Sequence, residues 1–493
     1  MIGRVSNQGP ERLRLSIKKA HHHKMKKETS VRQLALNCLI QLEAPNTTIA
    51  LVIDRAIRQH HLVGADRGLL NELVYGAIRW RKQLDWVLGH FVEPGFRLDR
   101  RTQNLLRLGA YQLLHLDKIP PHAAIYEMVE LAKPGRKTAG FINAVLRSVQ
   151  RGANRLEYPS LESQPAQHIA ISLSYPLWLV ERWLARHGVA WTLAFCRASN
   201  QIAPLSIRVN TLKTDRAELV RSLTAAGASV KASQIAPEGL LLLDAPPLQS
   251  LQAYRDGWFY VQDESAMLVS HLIRPLTPAL SPSLRRGGRD EGEKVVDLCA
   301  APGGKTTHIA QLMGNSSEII AVDISQDKVQ RIEENCRRLG VTTIQTRTTD
   351  VASATLDILE DADAVLIDAP CSGLGTLRRH PDIRWRKRPE QIDELAQLQL
   401  QILKNVARQV KPGCVLVYST CSTEPEENEG VVRRFLEIHP HFIIETAGDF
   451  LPFIPSSAIT PEGFLQTFPH EHGIDGAFAA RLRATERGTS CRH

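Results

Sequence analysis

No two cysteines in this sequence stand in a Cys-x-x-Cys arrangement, and the eight are scattered from Cys38 to Cys491. A structural zinc site or a disulfide framework needs closer, patterned spacing. In a chain of 493 residues the scatter favours reduced thiols in the cytoplasm. We therefore predict no metal ion and a cytoplasmic protein.

Long apolar runs are also absent. No stretch approaches the ~18 residues that cross a membrane, so no membrane association is expected. Residues 1–28 are basic and lack the apolar core of a secretion signal, which predicts a disordered basic tail, with Met25 as an alternative first residue. The formal net charge of +9 and a pI near 9.2 modestly favour a polyanionic partner.

Periodicity divides the rest of the chain into regions of different character. Up to residue 155 apolar residues recur every three to four positions, as on helices. Beyond the proline- and glycine-rich stretch PLTPALSPSLRRGGRDEGEK, short β-branched runs alternate with helical stretches, which predicts a parallel sheet covered by helices on both faces. The predicted organisation is an all-α domain (29–155), a small α+β connector (156–274), a linker or loop (275–294), an α/β domain (295–485) and a tail (486–493).

The stretch VVDLCAAPGGKTTHIA predicts a strand, a turn of small residues and a helix whose free N–H groups face a ligand. It is not the G-x-x-x-x-G-K-[ST] phosphate loop, because Cys299 stands where the first glycine should be. Asp323 ends the next predicted strand, a position from which a carboxylate can bond ribose hydroxyls. Asp350 ends the third predicted strand, from which a carboxylate can contact the edge of an adenine. The predicted cofactor loop is Cys299, Ala300, Ala301, Pro302, Gly303, Gly304 and Lys305.

Two further cysteines follow predicted strands in polar turns: Cys371 in DAPCSGLG and Cys421 in YSTCSTEPEEN. Carboxyl ends of parallel strands meet at one crevice, so both thiols are expected to face a common site. A thiolate there suits nucleophilic catalysis. The alternative is that each is a small buried hydrophobe. The residues alone do not decide which cysteine attacks.

A basic loop, LRRHPDIRWRKR, follows Cys371 and carries six Arg/Lys, one acid and one indole. Such a loop fits contacts to phosphates and stacking on an unpaired base, and a solvated charge run is the alternative. The predicted RNA-binding residues are Arg378, Arg379, Arg384, Trp385 and Arg386.

Four blocks, DLCAAPGGKT, AVDIS, DAPCSGLG and STCS-x-x-PEEN, resemble those of the RNA cytosine-5 methyltransferase family. The likeness extends upstream to IRVNTLK and GWFYVQDESA and downstream to DGAFAARLR. The stretches IPPHAAIYEMVELAK and GFINAVLR resemble the helical, RNA-binding NusB domain. The fusion of such a domain with these blocks resembles the layout of the RsmB (Sun/Fmu) family, which methylates a cytosine of 16S rRNA. Together these segments span about residues 29 to 483.

The resemblance implies a NusB-like domain, the α+β connector and a Rossmann-like methyltransferase domain. It implies transfer of a methyl group from S-adenosyl-L-methionine to carbon 5 of a cytosine in 16S rRNA, naked or within a small-subunit precursor, by a monomer. Cys421 would attack carbon 6, and Cys371 would assist product release by handling the carbon-5 proton. Asp368 would line the site between cofactor and base, with the loop from Cys299 to Lys305 around the cofactor.

Three alternatives stay open. The same chemistry on tRNA shares all catalytic blocks, and only the NusB-like half argues against it. A non-catalytic RNA-binding assembly factor is disfavoured by the presence of both cysteines and Asp368. A nucleotide hydrolase, suggested by GGKTT, lacks the first loop glycine.

Overall fold

The structure is a computed structural model that describes residues 29–45, 47–133, 135–273 and 293–486. The chain divides into two compact units, one ending at Leu156 and one beginning at Glu157. The basic tail predicted for 1–28 and nearly all of the predicted linker and C-terminal tail lie outside the described residues.

The first unit is helical throughout its described part, which confirms the all-α prediction. Ser30 begins the first helix as its N-cap and accepts a hydrogen bond from the Gln33 amide. The helices pack around one apolar core, and Gly76 lets two of them approach closely, since a Cβ there would lie 1.9 Å from the Tyr111 ring. The helices are α1 (Val31–Gln41), α2 (Ile49–His60), α3 (Gly64–Arg79), α4 (Arg81–Gly89), α5 (Arg100–His115), α6 (Pro121–Ala132) and α7 (Arg136–Gly152).

The second unit begins with the α+β connector. Two helices, α8 (Pro165–Ser172) and α9 (Leu177–Asn200), precede a small antiparallel sheet, and α9 is broken at Gly188, whose φ is +76°. The sheet has the order β2-β3-β1-β4. Its strands and helices are β1 (Leu205–Val209), α10 (Arg216–Ala225), β2 (Ser229–Ala232), β3 (Gly239–Asp244), α11 (Gln252–Arg255), β4 (Phe259–Val261) and α12 (Glu264–His271).

The larger sheet of this unit has the order β10-β12-β9-β8-β5-β6-β7, with β11 paired to β12. Apolar clusters lie on both of its faces, as expected for a sheet between helices. The strands are β5 (Lys294–Leu298), β6 (Glu318–Asp323), β7 (Ile344–Thr348), β8 (Ala364–Asp368), β9 (Val415–Thr420), β10 (Phe442–Glu445), β11 (Leu465–Thr467) and β12 (Ala477–Ala484). The helices are α13 (Gly304–Leu312), α14 (Gln326–Leu339), α15 (Ile383–Arg386), α16 (Glu390–Ala407), α17 (Glu429–Ile438) and α18 (Pro469–His472).

The sheet is parallel only from β5 to β9, because β12 lies antiparallel between β9 and β10. Only the parallel part of the sheet was predicted from the sequence. Two arginines make the sequence of β12 look polar. Both pair with one carboxylate on the neighbouring strand β10, because Arg481 and Arg483 lie 2.7 and 2.6 Å from Glu445. Charge inside a strand hides the apolar alternation on which strand prediction depends.

None of the helices in the described residues is long and apolar enough to serve as a membrane span. The parallel strands place the turns after β5, β6, β8 and β9 at the same edge of the sheet. In open α/β sheets this carboxyl edge is where ligands bind.

Candidate active site

The small-residue turn after β5 is held from several sides. Its Gly303 has a φ of +93°, a backbone conformation that residues other than glycine rarely adopt. The Ala301 amide donates to Asp323 at the end of β6 (3.1 Å), and Asn335 of α14 donates to the Pro302 carbonyl (2.9 Å). The turn is therefore a shaped loop that leads into the N-terminus of α13, as the sequence predicted for a ligand-binding segment.

Arg208 of the connector strand β1 fixes the start of α13. Its guanidinium is buried and donates to the Gly304 carbonyl (2.6 Å), to Thr307 Oγ1 (3.0 Å) and to Gln311 Oε1 (3.2 Å). Burial is the main cause that lowers the pKa of Arg208, to about 9. The IRVNTLK block thus contributes to the cofactor loop through packing that the sequence analysis did not predict.

Asp297, on β5 just before the loop, is fully buried. One carboxylate oxygen accepts from Thr306 Oγ1 at 2.5 Å, and the other has no hydrogen-bond partner among the described residues. Burial raises the pKa of Asp297 to about 7, against which the Thr306 hydrogen bond acts. An unpartnered buried oxygen beside a ligand-binding loop is a position that a ligand group can satisfy.

This carboxyl should make stability depend on pH. Because its folded-state pKa lies above its value of 3.8 in the unfolded chain, the folded state holds the proton more tightly, and Asp297 increasingly destabilises the fold as pH rises from about 4 to about 7. Three pKa units correspond to about 4 kcal/mol. We expect Asp297→Asn to gain about that much unfolding free energy relative to the wild type between pH 4 and pH 7.5.

Denaturant unfolding of both proteins across this pH range measures the difference. Asp350→Asn is the matched control, since hydrogen bonds from Ser353 and Ala352 lower the pKa of this exposed carboxyl. Its contribution has the opposite sign and disappears as pH falls. A pH-independent difference between Asp297→Asn and the wild type would contradict the assignment.

Asp323 and Asp350 follow neighbouring strands at the same edge of the sheet. Asp323 accepts from the Ile324 amide at 2.8 Å as well as from Ala301, and its carboxylate lies 3.2 Å from the Lys328 ammonium. The Thr349 amide donates to the Asp323 carbonyl at 3.0 Å, which brings the chain before Asp350 against β6. The structure thus brings the two acids to neighbouring loops, and their cofactor contacts stay predictions.

The two strand-end cysteines meet. Cys371 Sγ and Cys421 Sγ are 3.2 Å apart, and both side chains are partly exposed. The loops behind them are interlocked, because the Gly375 amide donates to the Cys421 carbonyl at 2.9 Å and a Cβ on Gly375 would lie 2.1 Å from the Gly476 oxygen. Pairing of the two thiols at one crevice is the arrangement that the sequence predicted.

Lys305 and Asp368 lie at the same edge. Lys305 Nζ donates to Asp368 Oδ2 at 2.6 Å, and Ser419 Oγ donates to Asp368 Oδ1 at 3.0 Å. Burial, the largest contribution, lowers the pKa of Lys305, but Asp368 and the neighbouring Cys421 together raise it above its ordinary value. A lysine cation therefore lies close to Cys421.

Two thiols this close do not ionise together. The hydrogen bond with Cys421, then burial and the charge of Cys421, raise the pKa of Cys371 well above that of a free thiol. Cys371 is thus held in its protonated form, in which a thiol is a poor nucleophile. This asymmetry favours Cys421 as the nucleophile.

A buried carboxylate joins the two cysteine loops. Glu427 accepts from the Ser372 amide (2.7 Å), from Ser372 Oγ (2.5 Å), from Ser422 Oγ (2.5 Å) and from Gln399 Nε2 (3.1 Å). Ser372 and Ser422 are the residues directly after the two cysteines. Burial raises the pKa of Glu427 despite these hydrogen bonds. Glu427 positions both thiols, a role for which the PEEN block was the available signal.

A second acid of the same block anchors the Cys421 loop to the connector. Glu424 is fully buried and lies 2.5 Å from Arg182 and 3.1 Å from Arg186, and it accepts from Trp183 Nε1 at 2.9 Å. All three partners are on α9. Both arginines also pair with Glu426, so the connector supports the Cys421 loop through a network of two cations and two carboxylates.

Part of the predicted RNA-binding set is wrong. Arg384 is fully buried, with its guanidinium 3.9 Å from the Tyr175 ring centre and a hydrogen bond to the Ser174 carbonyl. Arg378 is 7% exposed and donates to the Gly473 carbonyl. Neither side chain is available to a phosphate, because both are buried. The prediction failed because an arginine that packs against a tyrosine cannot be told from an RNA-contacting arginine in the sequence alone.

The other three residues differ in exposure. Arg379 is bound by two carboxylates, Asp263 at 2.7 Å and Asp475 at 3.0 Å. Arg386 is exposed and lies 3.2 Å from Asp382, and Trp385 beside it is half-buried. Contact of these three residues with RNA stays a prediction.

Three family models match the chain: the 16S rRNA methyltransferase RsmB/F model over residues 288–483, the NusB family over 29–151, and the RsmF/B-like ferredoxin-like domain over 175–249. Among curated proteins, a probable ribosomal RNA small subunit methyltransferase B of Bacillus subtilis is 37% identical and covers 93% of this chain and 99% of its own. Ribosomal RNA small subunit methyltransferase B of Cronobacter sakazakii is 34% identical with the same coverage.

Solved structures agree with this assignment. A methyltransferase homologue from Pyrococcus horikoshii covers 65% of this chain and 99% of its own, at 28% identity and a TM-score of 0.54. A parallel sheet with this turn and these loops at its carboxyl edge, matched in this way, defines a methyltransferase of the Rossmann-like class. The chain belongs to the RsmB/F family of 16S rRNA methyltransferases.

Proposed function

We propose that this protein methylates carbon 5 of a cytosine in 16S rRNA, with S-adenosylmethionine as methyl donor and Cys421 as covalent nucleophile. The observation that carries the proposal is the 3.2 Å approach of Cys421 and Cys371 beside the Lys305–Asp368 pair. A simple methyl transfer to oxygen or nitrogen would not need two thiols at the same crevice.

The residues around the β5 turn fit the methyl donor. The glycines leave the backbone of the turn open to a ligand, and the helix N-terminus offers free N–H groups. Asp297 carries an oxygen that has no partner among the described residues. We assign the loop from Cys299 to Lys305 and the carboxylates of Asp323 and Asp350 to binding of the donor. When bound, the donor supplies an electrophilic methyl group on a sulfonium sulfur.

Cytosine carbon 5 is too weak a nucleophile to take this methyl group unaided. Addition of the Cys421 thiolate to carbon 6 forms a carbon–sulfur bond and moves the ring electrons to carbon 5, which becomes enamine-like. The Lys305 cation near Cys421 stabilises the attacking thiolate. Asp368 holds Lys305 in place and faces the same edge as the thiols.

Completion of the reaction requires loss of the carbon-5 proton, after which the electron pair re-forms the ring double bond and the carbon–sulfur bond breaks. Cys371 has the position for this step. Once Cys421 is bonded to carbon 6 its negative charge is gone, and with it a major cause of the raised pKa of Cys371. Cys371 can then release its own proton to solvent and, as a thiolate, accept the proton from carbon 5.

The assignment of 16S rRNA rests on the whole-length likeness to small subunit methyltransferases and on the NusB match. We infer that the helical unit (29–155) contacts RNA, together with Trp385 and Arg386, and that the protein acts in the cytoplasm as a monomer. Because such contacts release counterions, affinity for RNA should fall steeply with salt.

Transfer of labelled methyl groups to purified 16S rRNA and to bulk tRNA, measured side by side, tests the proposal. Digestion to nucleosides identifies the product, and we expect label in 5-methylcytosine from 16S rRNA only. A small-subunit precursor particle serves as a third substrate. Asp323→Ala is the control for cofactor-dependent transfer.

Each outcome bears on a separate part. Label in another nucleoside would overturn the cytosine-5 chemistry and with it the roles of the two cysteines. Label in tRNA alone would keep the chemistry and overturn the substrate. No label in any of the three RNAs would favour a non-catalytic assembly factor.

A further inference from the structure

Among the described residues, one group of three potential metal ligands lies outside the active site. Glu238 precedes β3, His271 ends α12 and His308 lies on α13. Their ligand atoms all lie within 4.8 Å of one another. The residues are 33 and 37 positions apart along the chain, a spacing that matches no metal-binding motif.

The distances match a tetrahedral metal site. His271 Nε2 lies 3.1 Å from Glu238 Oε1, and His308 Nε2 lies 3.6 Å from the same oxygen. Zinc binds histidine nitrogen and carboxylate oxygen at about 2.0–2.2 Å, which places tetrahedral ligands about 3.3 Å apart. The observed separations lie on either side of this value.

His308 supplies an independent observation. Its ring is fully buried, and neither nitrogen has a hydrogen-bond partner among the described residues. Each ring nitrogen of a neutral imidazole that carries no proton has a lone pair that can bind a metal ion. An unpartnered buried imidazole that faces a carboxylate and a second imidazole is costly unless a ligand joins them.

We propose that Glu238, His271 and His308 bind one Zn²⁺ ion. The side chains of Glu238 and His271 are 10% and 15% exposed, so the cluster is not sealed from solvent. A water molecule would be the fourth ligand. With one carboxylate and the cation of Arg208 nearby, the site should be weaker than an all-thiolate site.

The ion would have a structural role. It would join the turn before β3, the end of α12 and the middle of α13, the helix that begins at Gly304 in the cofactor loop. Such a cross-link would join two residues of the connector, Glu238 and His271, to His308 on a helix that packs on the larger sheet. It does not depend on the methyl-transfer chemistry. This proposal therefore stands or falls separately from the proposed function.

Zinc titration of the chelator-treated full-length protein tests the site. Because two thiols are themselves zinc ligands, the titration is made in the Cys371→Ser/Cys421→Ser background. We expect one Zn²⁺ per chain and a rise of the Tm by a few degrees at a zinc concentration about a hundredfold above Kd. Co²⁺ in place of zinc should give a tetrahedral absorption spectrum without a thiolate band.

His271→Gln is the decisive variant, because its amide can still donate to Glu238 but binds zinc poorly. We expect it to weaken zinc binding by about a hundredfold or more, with an unchanged Tm in chelator. Glu238→Gln provides a second variant if the first fails to fold, and His122→Gln, at an exposed histidine of the helical unit, is the control. Absence of stoichiometric zinc, or equal binding by His271→Gln and the control, would overturn the proposal.

Discussion

Replacement of Cys421 by alanine will reduce methyl transfer by about 10⁴-fold or more, to background, while the affinity for S-adenosylmethionine stays within about twofold. Without the thiolate, carbon 5 of the base keeps its low nucleophilicity, and neither Lys305 nor Asp368 can activate it. The cofactor loop is held by Asp323, Asn335 and Arg208, which the substitution does not touch. Initial rates with labelled donor and calorimetric binding of the donor measure the two effects.

Cys414→Ala is the matched control, since Cys414 is buried just before β9, whereas Cys421 follows the other end of that strand. It should keep most of the activity. Retained turnover in Cys421→Ala would transfer the nucleophilic role elsewhere, and loss of donor affinity would show that the substitution had disturbed the cofactor loop.

Replacement of Cys371 by alanine should trap the protein on its RNA. The carbon–sulfur bond breaks only after the carbon-5 proton leaves, so removal of the residue that accepts this proton should stall the reaction as a covalent adduct. We expect most of the enzyme to become joined to RNA within the first turnover, visible as a shifted band on a denaturing gel. Multiple turnover should be lost.

The adduct should depend on Cys421. The double variant Cys371→Ala/Cys421→Ala should give no shifted band, and omission of the methyl donor should reduce the band in the single variant. If Cys371→Ala turns over normally and gives no adduct, proton transfer at carbon 5 belongs to another group, for which Asp368 is the nearest candidate by position.

The sequence predicts well whatever is local. The order of strands and helices from β5 to β9 follows from β-branched runs and helical periods, and the shared edge of the sheet follows from the parallel arrangement. The approach of Cys371 and Cys421 could therefore be predicted without knowledge of side-chain contacts, because they follow β8 and β9, which are neighbours in the sheet. The short strand β10 and the arginine-bearing strand β12 could not, since neither shows apolar alternation.

Contacts between side chains that are far apart in the sequence could not be predicted from it. The residues alone left the two cysteines equivalent, and what separates them is the raised pKa of Cys371, caused first by its hydrogen bond with Cys421, 50 positions further along the chain. Arg384 looks like a surface cation because nothing local reveals that Tyr175 lies against it. The Glu238, His271 and His308 cluster was missed for the same reason.

The anchoring of the catalytic loops by the connector determines how the chain can be divided. A fragment that starts at Glu157 keeps α9 against Glu424 and β1 against the cofactor loop. A fragment that starts at Lys294 would carry every catalytic block yet lose both supports, with Glu424 stripped of its arginines and a broad apolar surface exposed. The smallest portion of this protein that can be excised with its chemistry intact therefore begins well upstream of the methyltransferase sheet.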